Sequence, residues 1–378
     1  MNTKEKTLAE LKELLSKSSD HYKQIIIDKN NKFDFKKPVI LFGAAKLSDV
    51  FIKFFAKKFT KILALSDNNK ELIGKKISNI KIISKNEIKK LYGQDVQIVA
   101  TSYFYEEILT DLKKIGFKKL FDPMYFSTLF SKDFDVLIWK NDIDLIIKNK
   151  KLIYKAYNHL TDEESREIFL NILKFRLTQG KDLFNEIKTS KSEYFDKKII
   201  HLSKKEVFLD GGAYDGDTIK LIIKESKNKF KKIFAFEPDE KNFRKIVTYI
   251  NKIKDPRINV FKLGLGDKRN TLNFTNEGNL QSKVVEFSGI KINIVPIDKY
   301  INEGFSYIKL DIEGFEKKAL VGSKKTIKKY KPKLVICAYH NLNDLWELPM
   351  LIKMINSGYK IYLRHYTNFL MDTICYAV

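Results

Sequence analysis

Apolar residues in this chain follow two rhythms. Short apolar runs, most of them stopped by Gly, Ser, Thr or an acid, occupy residues 38–101 and again residues 207–378, whereas residues 123–205 repeat apolar positions at helical spacing. Residues 38–42 (PVILF) stop at Gly43 and precede a helix-like segment, residues 46–57. Residues 61–65 (KILAL) stop at Ser66 and Asp67, and residues 96–101 (VQIVAT) make a third run. Unbroken runs alternating with helical segments predict a parallel sheet with crossover helices, whose strands are covered on both faces. Residues 36–122 therefore read as a small Rossmann-like domain behind a leading helical segment, residues 1–35.

From Pro123 to about Lys205 the helical rhythm takes over. Residues 163–177 (EESREIFLNILKFRL) carry Ile168, Leu170, Ile172, Leu173 and Phe175 as the apolar members of a helix, and Thr161 with Glu164 predicts a capping box at its start. This helical connector, residues 123–205, joins two sheets. Beyond it the runs VFLD, KKIFAFE, INVFKLG, YIKLD, KLVICAY, YKIYLRHY and DTICYAV alternate with helical segments. Seven strand candidates, the last two hairpin-like, predict a doubly wound α/β sheet with an antiparallel edge strand over residues 206–378. No repeat of solenoid length and no low-complexity linker interrupts the pattern.

Composition narrows the class. A chain of 378 residues has room for two or three domains, and 44% hydrophobic with 13% aromatic residues places it among folded proteins. A formal charge of +24 raises the question of nucleic acid. Only six of the 71 basic residues are Arg, the side chain that reads phosphates and bases bidentately, and the lysines are spread along the whole chain. A solvated Lys-rich surface is the reading adopted, with no nucleic-acid partner expected; attraction to acidic substrates or peripheral association with an anionic membrane stays open. Cys337 and Cys375 fall in predicted strands without disulfide or metal spacing, which fits a reducing compartment. No apolar stretch suits a signal peptide or a membrane span, so a soluble, cytoplasmic protein is expected.

The candidate chemistry sits at the carboxyl ends of the later strands, where open parallel sheets bind ligands. Residues 207–218 (VFLDGGAYDGDT) run from a strand through Asp210, Gly211, Gly212 and Gly216 into a helix. Glycines let the backbone approach a ligand, and a helix start offers free amide donors. A dinucleotide enzyme, or a tight turn with no ligand, would use the same turn. The second strand ends in Glu237, 27 positions after Asp210, where a carboxylate can accept from both hydroxyls of a ribose. The third closes with residues 263–267 (LGLGD), which places Asp267 to accept from an adenine amino group.

The fourth strand ends in residues 308–316 (IKLDIEGFE), with Asp311 and Glu313 as groups able to hold a cofactor's amino group, orient an acceptor or bind a metal. The fifth leads into residues 338–346 (AYHNLNDLW) and His340, the sixth into residues 363–366 (LRHY) with Arg364 and His365. Asp311, Glu313 and His340 have the donor types of a hard-cation site. They come from the ends of two different strands, and although a divalent metal stays open none is expected. His21, His159 and His201 lie away from this edge and read as surface or packing residues. Trp346, beside Leu345 and Leu348, reads as core.

Taken in order, DGGAYDGDT, FEP, IKLDIEG, YHNLNDLWELP and YLRHY resemble the FkbM family of methyltransferases over roughly residues 206–378. DEESREIF, LKFRLTQG and EYF resemble the region ahead of such domains in long bacterial members. VILFGAAK, ALSDNNKELIGKKI and QIVATSYFYEEILTDLKKIGF are similar to nucleotide-sugar-type Rossmann-like domains of sugar-modifying enzymes. The resemblance implies a class I fold and an S-adenosylmethionine-dependent O-methyltransferase, acting on sugar hydroxyls of a glycan or nucleotide-sugar precursor, or on natural products.

Position by position, the resemblance assigns Asp210, Gly212 and Gly216 to the first cofactor motif, with Gly211 between them a cofactor-binding candidate of the same turn, Glu237 to the ribose and Asp267 to the adenine side. Tyr214 stands where many methyltransferases have a glycine, which bears on the backbone path of that turn. The amino-terminal turn, GAAK, falls short of three glycines, so a docking or substrate-positioning role is expected there. For removal of the acceptor's hydroxyl proton, His340 is the first choice, His365 the next and Asp311 the carboxylate alternative. A purely structural His340 at a strand end stays open. Three rivals remain: a nucleic-acid methyltransferase, although DIEGF replaces the Asn/Asp-Pro-Pro-aromatic turn common in base-directed enzymes; a nicotinamide-dependent sugar oxidoreductase built from two Rossmann-like halves; and a non-catalytic binding module.

Overall fold

The computed structural model describes residues 3–30, 32–102, 104–134, 141–189, 192–274, 284–285 and 290–378. It divides the chain into two compact units, one of residues 13–148 with 174–180, the other of residues 1–12, 149–173 and 181–378. The span read as a helical connector is thus divided, part of the helix Glu163–Thr178 belonging to each unit.

In the first unit, β1 (Val39–Phe42), β2 (Ile62–Ser66), β3 (Lys76–Ile77), β4 (Ile80–Ile83), β5 (Gln97–Ala100) and β6 (Lys119–Phe121) form a sheet in the order β3-β4-β2-β1-β5-β6. Its pairs are parallel apart from β3 with β4. Every residue of β1 and β5 is buried, which is why these strands read as unbroken apolar runs. The order reverses between β1 and β5, so the crevice of the sheet opens where Gly43 and Thr101 follow them. Much of the core is aromatic: Phe126 meets Phe33, Phe51 and Phe55 edge-on with centroids 5.1–5.6 Å apart.

The second unit holds β7 (Val207–Gly211), β8 (Lys232–Phe236), β9 (Ile258–Phe261), β10 (Gly264–Leu265), β11 (Asn270–Phe274), β12 (Val284–Val285), β13 (Ile290–Val295), β14 (Tyr307–Leu310), β15 (Lys333–Cys337), β16 (Ile361–His365) and β17 (Thr373–Ala377). The main sheet has seven strands in the order β16-β17-β15-β14-β7-β8-β9. It is parallel except for β17, which runs antiparallel to both β15 and β16. The antiparallel strand therefore lies one place in from the edge, buried along its whole length with a neighbour on each side. Cys337 and Cys375 are buried, free thiols in β15 and β17.

Two expectations are corrected here. The third strand of the main sheet stops at Phe261, and the LGLGD run leaves it as β10, which pairs with β13 in a separate four-stranded sheet. Asp267 follows β10 and is exposed, so it does not cap a main-sheet strand. Glycines permit this path: a Cβ on Gly266 of the run would stand 2.7 Å from Ile294, and one on Gly322, at the end of the helix Glu316–Gly322, would stand 2.0 Å from the Gly266 carbonyl oxygen. The helix Glu163–Thr178 is capped by Asp162, whose Oδ1 accepts from the Ser165 amide at 2.9 Å, and not by Thr161. Asp162 is held in place by Arg364 at 2.6 Å, while the Thr161 amide is engaged by the Ile361 carbonyl at 2.8 Å. Among the described residues no helix is long and apolar enough to cross a membrane.

Candidate functional site

The ends of β7, β8, β14 and β15 bring Asp210, Gly211, Gly212, Glu237, Asp311 and His340 to one edge of the main sheet. The turn after β7 is built on backbone contacts. The amides of Gly212 and Ala213 both donate to the Phe236 carbonyl, at 3.0 and 3.1 Å. Gly212 has φ +76°, and a Cβ there would stand 1.8 Å from the Asp311 carbonyl oxygen. Only glycine fits so close an approach in that conformation. Tyr214 adopts φ +47°, a left-handed position that side chains other than Gly and Asn seldom take. Gly216, at φ +88°, is the N-cap of the helix Asp217–Glu225.

Asp210 is fully buried beside Lys309, its register partner on β14, with Nζ 3.1 Å from Oδ1. Burial pushes the Asp210 carboxyl up to about 6 against the pull of Lys309. Burial also disfavours the Lys309 cation, but Asp210 and Asp311 hold its amine above the usual lysine range. Lys309 donates as well to the Gly212 carbonyl at 2.7 Å, so one buried ammonium ties the acid to the glycine turn. Asp210 Oδ2 is buried with no hydrogen-bond partner among the described residues. Glu237 accepts from the Tyr214 amide through Oε2 at 2.9 Å and from the Asp239 amide through Oε1 at 2.8 Å. Burial lifts it to about 7, and those two amides oppose the rise.

Around β14 the charges converge. Asp311 Oδ2 accepts from the Tyr194 hydroxyl at 3.0 Å and Oδ1 from that of Tyr339 at 3.4 Å. His340 is nearly buried, with Nδ1 3.0 Å from Glu316 Oε1 and Nε2 3.5 and 3.7 Å from Asp311 and Glu313. Burial works against the imidazolium, yet Glu316, Glu313 and Asp311 together raise His340 to about 10. Burial raises the Asp311 carboxyl; Lys309, His340 and the Tyr194 hydroxyl outweigh it and hold the group below the usual carboxylate value. Asp311, Glu316 and His340 offer ligand atoms within 4.8 Å of one another, a set able to hold a cation only if His340 gives up its proton. Glu313 adopts φ +55° and Gly314 φ +91°, a tight turn that lets Glu313 and Glu316 face the same imidazole.

The structure does not bring His365 into this group. Its ring is buried, bonded through Nδ1 to Thr373 Oγ1 at 2.8 Å and packed on Phe184, and burial lowers it to about 4. Arg364 is buried among Asp162, Glu164 and Asp196 as a structural clamp. Sequence reasoning passed over Lys309, Tyr194 and Glu316. Lys309 carried a legible signal, because a lysine inside the apolar run YIKL must find a buried acid; Tyr194 lies more than a hundred positions from its partner and carried none.

Residues 210–361 match the family model for the methyltransferase FkbM domain, and residues 35–120 match that for C2185-like, N-terminal. Among solved structures, methyltransferase FkbM from Methylobacillus flagellatus KT aligns over 100% of this chain and 99% of its own, with 23% identity and a TM-score of 0.77, a likeness of fold. An rRNA methylase from Streptococcus thermophilus covers 47% of this chain and 87% of its own at 13% identity and a TM-score of 0.32. A Streptococcus mutans structure in complex with SAH covers 49% and 94% at 13% identity and a TM-score of 0.32. None of the curated proteins matches the chain.

Proposed function

We propose, on the premise that residues 210–361 form a methyltransferase FkbM domain and that the chain is an S-adenosylmethionine-dependent methyltransferase, that it methylates a sugar hydroxyl of a bacterial surface glycan or of its nucleotide-sugar precursor. The observation that carries this reading is the coincidence of the matched domain with the cradle of Asp210, Gly212 and Glu237. The cradle suits the cofactor: Asp210 Oδ2 is buried and orphaned at the strand end, and glycine at 212 lets the turn close against the Asp311 carbonyl so that the two strand ends stand together. Asp210, Gly211, Gly212 and Gly216 would hold the cofactor's amino-acid end, Glu237 its ribose diol, and Asp267 its adenine side from the exposed turn after β10. When bound, S-adenosylmethionine supplies a methyl group on a cationic sulfur, with a neutral thioether as leaving group.

The chain's own residues align the acceptor and take its proton. His340, ringed by three carboxylates, is an imidazolium at neutral pH and has no room for another proton. Its role is to keep Asp311 ionised and aimed. Asp311 is the base: a hydroxyl oxygen becomes strongly acidic as its new bond to carbon forms, so even a carboxylate below the usual range can accept the proton. His365, covered and bonded to Thr373, supports the strand pair β16–β17 and takes no proton from the acceptor. The hydroxyl target is favoured over a nucleobase by DIEGF after β14 and by the scattered lysines. No metal is assigned, the protein acts in the cytoplasm, and the amino-terminal unit serves as a docking or substrate-positioning module.

Methyl-labelled cofactor offered with surface glycans and nucleotide-sugars in one series, and RNA and DNA in another, tests the acceptor. Label is expected in sugar as an ether; robust labelling of nucleic acid overturns the reading. S-adenosylhomocysteine should raise the melting temperature and reduced nicotinamide dinucleotide should not, and the reverse pattern points to the oxidoreductase instead.

A further inference from the structure

The two units carry the same device at the same register. In the first unit the residues that follow paired ends of β1, β2 and β5 are Gly43, Asp67 and Thr101. In the second unit those that follow β7, β8 and β14 are Gly212, Glu237 and Asp311. The correspondence extends to individual hydrogen bonds. The Gly43 amide donates to the Ser66 carbonyl at 2.7 Å as that of Gly212 does to Phe236 at 3.0 Å, and the Thr101 amide donates to Phe42 at 2.6 Å as that of Asp311 does to Gly211 at 3.0 Å. Asp67 Oδ2 accepts from the Ala44 amide at 2.7 Å and Oδ1 from the Asn69 amide at 2.8 Å. Glu237 makes the same two bonds, to the glycine turn and to the amide two residues on. Gly43 sits at φ +116° with a would-be Cβ 2.6 Å from the Thr101 carbonyl oxygen, the counterpart of Gly212 against Asp311.

From this equivalence we infer that the amino-terminal unit binds a ribonucleoside phosphate at the crevice between β1 and β5, with Asp67 accepting from the ribose diol. A carboxylate has about four lone-pair positions, and two backbone amides leave room for two hydroxyls. Asp67 is partly exposed, so a ligand can reach it. The helix Lys46–Lys57 begins directly after the turn, and its N-cap, Ala45, makes no side-chain hydrogen bond to the first-turn amides, which suits the phosphate. The site binds without chemistry. Where the second unit has Asp311, the first has Thr101, whose hydroxyl is committed to the Gly43 carbonyl at 2.7 Å. No acid follows the third strand end for an adenine amino group either: Ser84 follows β4 and is tied into a capping box with Glu87, as Lys262 and not an acid follows β9 in the second unit.

The inference rests on reading Glu237 as the ribose acid of the methyl-donor site, and the test separates the two. The full chain, saturated with S-adenosylhomocysteine to fill the second unit, is titrated calorimetrically with UDP, ADP and their 2′,3′-dideoxy analogues. At least one ribonucleotide should bind one to one, its dideoxy analogue at least tenfold more weakly. Asp67→Asn, which keeps an oxygen for the Ala44 amide, should weaken the ribonucleotide at least tenfold and leave S-adenosylhomocysteine affinity unchanged. No binding of either nucleotide, equal binding of the dideoxy form, or equal binding to Asp67→Asn overturns the second site. Loss of S-adenosylhomocysteine binding in Glu237→Ala, measured separately, tests the reading of the first.

Discussion

Lys309 and Asp210 form a fully buried ion pair, and such pairs are most informative when one partner is removed. Lys309→Met leaves Asp210 without its cation and the Gly212 carbonyl without a donor, a loss expected to cost about 3–5 kcal/mol of stability. Lys309→Met combined with Asp210→Asn should recover part of that loss, because the uncompensated charge is gone. Urea denaturation of the four proteins of this cycle measures it, and strict additivity would show that the pair is not coupled. His340 carries a second expectation, set by pH. Its pKa stands raised to about 10 in the fold against an ordinary value near 6.5, so the folded state binds the proton more tightly. The stabilisation is therefore complete below about 6.5 and fades as pH climbs toward 10. Across that window the wild type should lose stability more steeply than His340→Gln. Parallel profiles would mean that the imidazole is neutral, and would return it to the role of base.

At the level of elements, the turn after β7 separates two glycines that look alike in sequence. Gly212→Ala drives a methyl group into the Asp311 carbonyl and so pries β7 from β14, whereas at Gly216 the nearest atom to a new Cβ is 3.7 Å away. Gly216→Ala should cost about 1 kcal/mol, the ordinary penalty of a left-handed backbone. Gly212→Ala should cost more and abolish S-adenosylhomocysteine binding, which Gly216→Ala should retain within tenfold. Denaturation and calorimetry check both, and equal effects would dissolve the cradle. The same turn explains what could be read in advance. Strands β7, β8, β14 and β15 are covered on both faces, so their apolar runs and the polar residues that stop them stood out. The sheet of β10 to β13 did not, because short strands such as NTLNF mix polar with apolar residues and two of its four are two residues long. Asp267 was misplaced for that reason. Glu316 and Tyr194 act through contacts that only the folded chain creates, and Asp67 gained meaning only when its register proved to be that of Glu237.

For the molecule as a whole the net charge of +24 is the dominant unspent feature, and it bears on which acceptor is used. A strongly cationic surface concentrates anions near it, an effect that salt weakens because the Debye length falls to about 8 Å at physiological ionic strength. Polyanions such as RNA will then adhere at low salt whether or not they are substrates, so binding alone says nothing about methyl transfer. The Michaelis constant is more discriminating. A nucleotide-sugar carries a diphosphate, and its KM should rise several-fold between 25 and 250 mM salt (~tenfold in concentration, a span over which screening of exposed charges becomes nearly complete). A neutral glycan fragment has no charge to steer and its KM should stay constant, with kcat unchanged for both. Initial rates with each acceptor at the two salt concentrations decide the matter: a salt-dependent KM for the accepted sugar identifies the anionic precursor as the substrate. A flat KM identifies the finished glycan and leaves the charge as a solvated surface.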